Sequence, residues 1–415
     1  MARDDQILAL DPSGFGHHGE NHELLARGPV TQVDLLGVKA WAVSDPHLLK
    51  KLLTNPDVSK DGKRHWPAYA DSVEAWPLKL WTAVNNMFTA YGGDHSRLRR
   101  MISPAFSARR IAALQPVIDD LVSDLLDGLD DAPDGEVVDL RARLAYPLPI
   151  GVIGQLLGIP EDQRPVFRVV VDGVFSTGLT KEQAEVNTVA LYQLLDKLIT
   201  TKRGDESADD LTSYLIARHD ESEQNSGDRR GLSDEELRDT LLLMISAGYE
   251  TTVNVIDYAL TLLLSDPGQL AHVREGHCNW NDVVEETLRC EPAVRHLPLR
   301  YAVTDIPLPG GQTITAGEPI LASYAAANRN PNWHDHADEF DVMRVTKDHL
   351  AFGYGVHFCL GAPLARREVA TVLSMFFARF PDAQFAVPVD ELKPLPSFIS
   401  NGHTALPVRL HPSTG

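Results

Sequence analysis

One of the three cysteines in this chain stands in surroundings suited to chemistry. Cys359 lies in Phe352-Gly353-Tyr354-Gly355-Val356-His357-Phe358-Cys359-Leu360-Gly361, just ahead of the amphipathic stretch ALARREVATVLSMFFARF. The three glycines leave the backbone bare around the sulfur, and a helix N-terminus downstream offers N–H groups and a dipole that lower a thiol pKa. The plainer reading is a buried packing cysteine, the commoner fate of a free thiol. Zinc is disfavoured because no second ligand lies at finger spacing. The glycines make no dinucleotide fingerprint, since the third is misplaced and no strand feeds the loop. A lone thiolate in a bare loop suits an axial ligand of haem iron.

A second pattern, Ala247-Gly248-Tyr249-Glu250-Thr251-Thr252, interrupts an otherwise apolar helical stretch. A buried carboxylate needs a partner or water. Threonine hydroxyls can bond back to helix carbonyls and open a turn locally. Gly248 costs a helix about 1 kcal/mol relative to alanine, and Thr252 reads equally well as a satisfied core residue. Further on, Glu286 and Arg289 share a helix face at i, i+3, a spacing more often found on solvated surfaces.

The cysteine loop matches F-G-x-G-x-H-x-C-x-G at every fixed position. By this loop, and by the order of elements along nearly the whole chain, the sequence resembles the cytochrome P-450 family. It looks closest to the soluble, three-component bacterial members, and among them to an actinomycete branch acting on polyketide, macrolide or steroid-like compounds. The resemblance implies haem b (iron protoporphyrin IX) with Cys359 on the iron, and with Ala247, Gly248 and Phe352 against the haem. It makes Glu250 and Thr251 the acid–alcohol pair that delivers protons for cleavage of O2. His95 and Arg99 fit the family's H-x-x-x-R helix, and Arg300 and His357 its other two propionate donors, with Arg295 a weaker rival for Arg300. Glu286 and Arg289 become the E-x-x-R brace of the cysteine loop. Here the sequence departs from the family: Glu339 stands before Phe340 where an arginine is common, so Arg344 or His336 is left as the third partner.

The implied activity is a monooxygenase inserting one atom of O2 into an apolar small molecule. Its electrons would come from a separate ferredoxin or flavodoxin, because the chain carries no flavin or iron–sulfur motif, and NAD(P)H would enter only through such partners. Arg97, Arg100, Arg366 and Arg367 are candidates for drawing in that donor. A dry apolar cavity is required, with expected walls Met87, Phe88, Phe175, Leu243, Ala247, Val294, Leu297 and Ile399, each of which could equally be core. Two rivals remain. A peroxygenase using hydrogen peroxide lacks the acid–alcohol pair, and a non-catalytic haem sensor has no use for one.

The elements that must position these residues are mostly helices. Periodicity predicts a helical body over about 93–300, preceded by a small antiparallel sheet over 28–60 and followed by a β and cysteine-loop region over 300–415. The expected fold class is mainly α with a minor antiparallel β part, folded as one domain. The longest helix starts at a Ser233/Glu236 capping box and ends near Asp266, before Pro267. Residues 61–92, with Trp66, Trp76 and Trp81, read as a functional lid or as a core cap. The acidic stretch 204–230 reads as solvated surface. With 38 Lys and Arg against 58 Asp and Glu, the net charge is −20, which argues against nucleic acid and anionic membranes as partners. The sparse cysteines fit a reducing cytoplasm, the charged N-terminus resembles neither a signal peptide nor an anchor, and a monomer is expected.

Overall fold

A computed structural model describes residues 7–133, 135–204, 209–224 and 231–411. Helices dominate, as the periodicity required. The central one runs Asp234–Ser265, 32 residues, or about 48 Å at 1.5 Å per residue. Ser233 accepts from the Glu236 N–H while the Glu236 side chain accepts from the Ser233 N–H, so the capping box closes as expected. The helix stays α-helical across 247–252 rather than opening a wider turn. It packs against Pro147–Leu157, Lys181–Arg203, Trp280–Cys290 and Ala362–Arg379, which accounts for its apolar character on nearly every side.

The sheet is larger and less uniform than the sequence suggested. Strands Leu8–Ala9, Val30–Leu35, Val38–Val43, Pro319–Ser323, His296–Ala302 and Val58–Ser59 lie in that spatial order. The pairing is mixed, with Leu8–Ala9 on Val30–Leu35 and Val38–Val43 on Pro319–Ser323 both parallel. Residues 28–60 therefore supply three of the six strands, 296–323 two, and Leu8–Ala9 the last. Short antiparallel strands at Val137–Asp139, Gln384–Phe385 and Pro407–Arg409 make a second sheet.

The aromatic segment resolves in favour of core capping for its tryptophans. All three are buried: Trp66 stacks on Tyr301, Trp76 donates to Leu35 O at 2.8 Å, and Trp81 donates to Val174 O at 3.2 Å. Of the acidic stretch 204–230, only Gly204 and residues 209–224 lie within the described residues. Among the described residues no helix is long and apolar enough to cross a membrane.

Candidate functional site

The cysteine loop is shaped by its own backbone. The Cys359 N–H donates to Phe352 O at 2.9 Å and the Phe358 N–H to Gly355 O at 3.0 Å. Gly353 and Gly355 have φ of +72° and +74°, left-handed values that favour glycine. A Cβ on Gly355 would also lie 2.6 Å from Leu53 O. Gly361 serves differently. As N-cap of Ala362–Arg379 it has an ordinary φ of −81°, and its N–H and that of Ala362 bond to the cysteine sulfur. Cys359 is open to the cavity, but the protein packed around it desolvates the thiol and pushes it up, against the pull of those N–H groups, Arg99 and Arg366. The expected lowering by the helix N-terminus is thus present but outweighed in the chain alone.

Cys359 lines a cavity of about 220 Å³ whose opposite wall is the long helix at Leu243, Ala247, Gly248, Thr251 and Thr252. Met87, Phe88, Val294, Leu297, Phe352 and His357 complete the expected lining. Two expected wall residues are elsewhere. Ile399 is fully buried in the core, and Phe175, at the end of the helix Arg164–Phe175, packs edge-on against Trp81 and faces a second cavity. Sequence could not separate wall from core here, because both demand the same apolar side chains. Gly248 has a packing reason of its own: a Cβ there would lie 2.7 Å from Ile153 Cδ1.

Thr251 and Glu250 face apart. Thr251 Oγ1 donates to Ala247 O at 2.8 Å and meets the cysteine-lined cavity. Glu250 lines the second, larger cavity of about 740 Å³, together with Asp172, Tyr146 and Ser400. Its Oε1 accepts from Asn254 at 3.2 Å and Ser400 at 3.4 Å, and Arg141 lies 3.6 Å away. Its Oε2 is buried and has no hydrogen-bond partner among the described residues. Burial raises the Glu250 carboxyl to about 7, with Arg141 opposing. Arg141 is fully buried, bonded to Asp257 at 2.7 Å, Asn254 at 2.8 Å and the Tyr146 hydroxyl at 3.2 Å. The sequence reading missed Arg141, Asn254, Asp257 and Ser400. Asn254 and Asp257, at i+4 and i+7 from Glu250, carried a periodic signal; Arg141 and Ser400 carried none.

The expected haem-carboxylate donors lie near the loop. His95 and Arg99 lie on the helix Gly92–Ile102; Arg99 donates to Phe358 O at 2.8 Å, and the His95 ring lies 4.2 Å from that of His357. Arg300 is buried and hydrogen-bonded to Tyr324. Burial, then neighbouring cations, holds His95 low and His357 well below the ordinary histidine range. His95 Nε2 and Arg300 Nε are buried with no partner among the described residues. Arg295 is also buried, with one guanidinium nitrogen bonded to Ser397 O and its Nε without a partner among the described residues. Buried cations call for anions. The sulfur facing an apolar cavity and the orphaned donors suit haem, which offers an iron to one and two carboxylates to the others.

Glu286 and Arg289 form a fully buried bidentate pair at 2.8 Å on each arm. The third partner is Arg344, 3.0 Å from Glu286 Oε1. Glu339, in the family's arginine position, contributes its carbonyl oxygen to Arg289 at 2.7 Å. Arg289 also contacts Asn328 O at 3.5 Å, and Asn328 Oδ1 accepts from Leu350 N at 2.8 Å, at the entrance to the cysteine loop. The expected docking arginines are partly spent. Arg97 pairs with Glu236, Arg366 with Glu285, and Arg367 donates to Gln115, whereas Arg100 is exposed.

Comparison with known proteins agrees with this geometry. The sequence model described as Cytochrome P450 matches residues 166–276 and 280–397. The 2-hydroxy-5-methyl-1-naphthoate 7-hydroxylase of Streptomyces carzinostaticus is 40% identical over 97% of both chains. The 6-deoxyerythronolide B hydroxylase of Saccharopolyspora erythraea is 34% identical over 94% of both. A solved structure of CYP154A1 from Streptomyces coelicolor A3(2) is 62% identical, superposes with a TM-score of 0.94, and is covered over 100% of its length by 97% of this chain. With its loop, long helix and fold all in agreement with these proteins, the chain belongs to the cytochrome P450 family of monooxygenases.

Proposed function

We propose that the chain oxygenates an apolar small molecule at a haem b whose iron is held by Cys359. The observation that carries this reading is the Cys359 sulfur, braced by two N–H groups and facing an apolar cavity closed by Thr251 and Ala247. The bound haem supplies O2 activation and accepts two electrons per turnover. His95, Arg99, Arg300 and His357 hold its carboxylates, and Ala247, Gly248 and Phe352 flank it. Thr251 presents hydroxyl lone pairs to the cavity while its proton is held by Ala247 O. Glu250, poised near neutrality, both gives and takes a proton at its unpaired Oε2. This acid–alcohol pair favours O2 over hydrogen peroxide as oxidant, and favours an enzyme over a sensor.

The substrate is of the polyketide, macrolide or steroid-like kind. Support comes from the apolar walls Met87, Phe88, Leu243, Val294 and Leu297 and from relatives named for 6-deoxyerythronolide B and for a methyl-naphthoate. A separate ferredoxin or flavodoxin supplies the electrons, so NAD(P)H acts only indirectly. The deciding experiment is Cys359→Ser. The purified variant should lose the carbon-monoxide band of a thiolate haem and all NADPH-coupled product formation with a supplied reductase chain. Retention of both would sink the proposal.

A further inference from the structure

Lys60 is a buried basic residue outside the set of haem-carboxylate donors named above. It follows the strand Val58–Ser59, whose Ser59 pairs with Tyr301, and this register brings it alongside Arg300. Its side chain is buried. The ammonium donates to Pro298 O at 3.0 Å and lies 3.7 Å from the centroid of the Phe88 ring, and Phe88 lines the cysteine cavity. One carbonyl and one ring face satisfy only part of a group with three donors and a full charge. Among the described residues no carboxylate pairs with it. The neighbouring Asp61 caps the turn at Arg64, and the charge that acts on Lys60 is the like charge of Arg300. Burial, then Arg300, holds Lys60 well below the ordinary lysine range. A methionine would fill this space without such a penalty, so the residue's charge needs a reason.

We infer that Lys60 is an anion hook, binding a carboxylate that enters the cavity beside Phe88 and Arg300. The inference rests on reading this cavity as the haem and substrate site. Two sources offer the carboxylate: a haem propionate, or an acid group on the substrate.

The test uses the haem-loaded enzyme with Lys60→Gln and Lys60→Arg. One arm measures the rate of haem loss to apomyoglobin and the midpoint potential. The other measures dissociation constants for dodecanoic acid and its methyl ester from the Soret shift. If the source is a propionate, K60Q loses haem about tenfold faster, the order expected for one lost charge-assisted bond, and shifts to a lower potential. K60R then stays near wild type, and the acid-to-ester ratio does not move. If the source is the substrate, wild type prefers the acid, K60Q loses that preference by about tenfold, and haem loss is unchanged. Should K60Q fail to retain haem while K60R retains it, the propionate reading is supported. K60Q matching wild type within about twofold in both arms, or loss of fold in both variants, overturns the inference. A normal carbon-monoxide spectrum in those same samples would leave the Cys359 reading standing.

Discussion

At the scale of single residues, Glu250 is the group whose environment makes the sharpest demand. Its carboxyl stands at about 7 rather than 4.5, raised by burial against the pull of Arg141, with Asp172, Asn254 and Ser400 as its other neighbours. The native chain therefore holds this proton more tightly than the unfolded chain does. The stability so contributed is complete below about pH 4.5 and is lost as pH rises through 7, on the order of 1–3 kcal/mol. Glu250→Gln stays neutral, so its thermal midpoint should fall less than that of wild type between pH 5 and pH 8; parallel curves would contradict the assignment. In turnover the same variant should be slower, and Thr251→Ala should waste NADPH, giving less product per NADPH consumed than wild type. What was legible here followed from local spacing. Cys359 with its glycines, His95 with Arg99, and Glu286 with Arg289 each announce themselves within a few positions. Arg141 does not, because it reaches Asn254 across 113 residues of chain, and no short motif records such a meeting.

At the scale of elements, the long helix was readable from its cap to its final proline, because both ends are written in local chemistry. Removing the cap with Ser233→Ala should cost about 1 kcal/mol, read as a lower denaturation midpoint with an unchanged carbon-monoxide spectrum. The middle of the helix is held close to its neighbour Pro147–Leu157 by Gly248, where a Cβ meets Ile153. Gly248→Val should therefore destabilise by about 1–3 kcal/mol, and Ile153→Ala in the same chain should return part of that loss. A double variant no better than the single one would show that the clash lies elsewhere. The sheet was half legible. Strand Val38–Val43 takes its parallel partner from Pro319–Ser323, and pairing at such a distance leaves no trace in alternation. The same limit hid Lys60, which matters only because Val58–Ser59 pairs with Tyr301 and Ala302.

At the scale of the whole molecule, charge is unevenly spread. The chain carries a net −20, yet Val356 in the cysteine loop is exposed, and so are Arg100, Arg109 and Arg110. The last two belong to the helix Ala108–Ala113, which packs on the helix after the cysteine. An apolar centre with a basic rim suits an acidic electron donor. Reversing Arg100, Arg109 and Arg110 to glutamate should slow reduction by ferredoxin and flatten its dependence on ionic strength; unchanged rates at low salt would exclude this face. Arg366→Glu should act differently. It breaks the 2.5 Å contact with Glu285 that joins the helix after the cysteine to Trp280–Cys290, so its effect should appear in haem retention as well as in reduction. The central helix also has a consequence for remodelling. It stands as a bulkhead between two chambers, with the alcohol of Thr251 on one side and the acid of Glu250 on the other. The separation lets the cargo route and the proton route be tested apart. On the proposed function, recutting the cysteine-side chamber should change the guest's fit, whereas a plug in the Glu250 chamber, such as Val170→Trp, should slow turnover and leave that fit intact; a changed Soret titration in Val170→Trp would contradict this division.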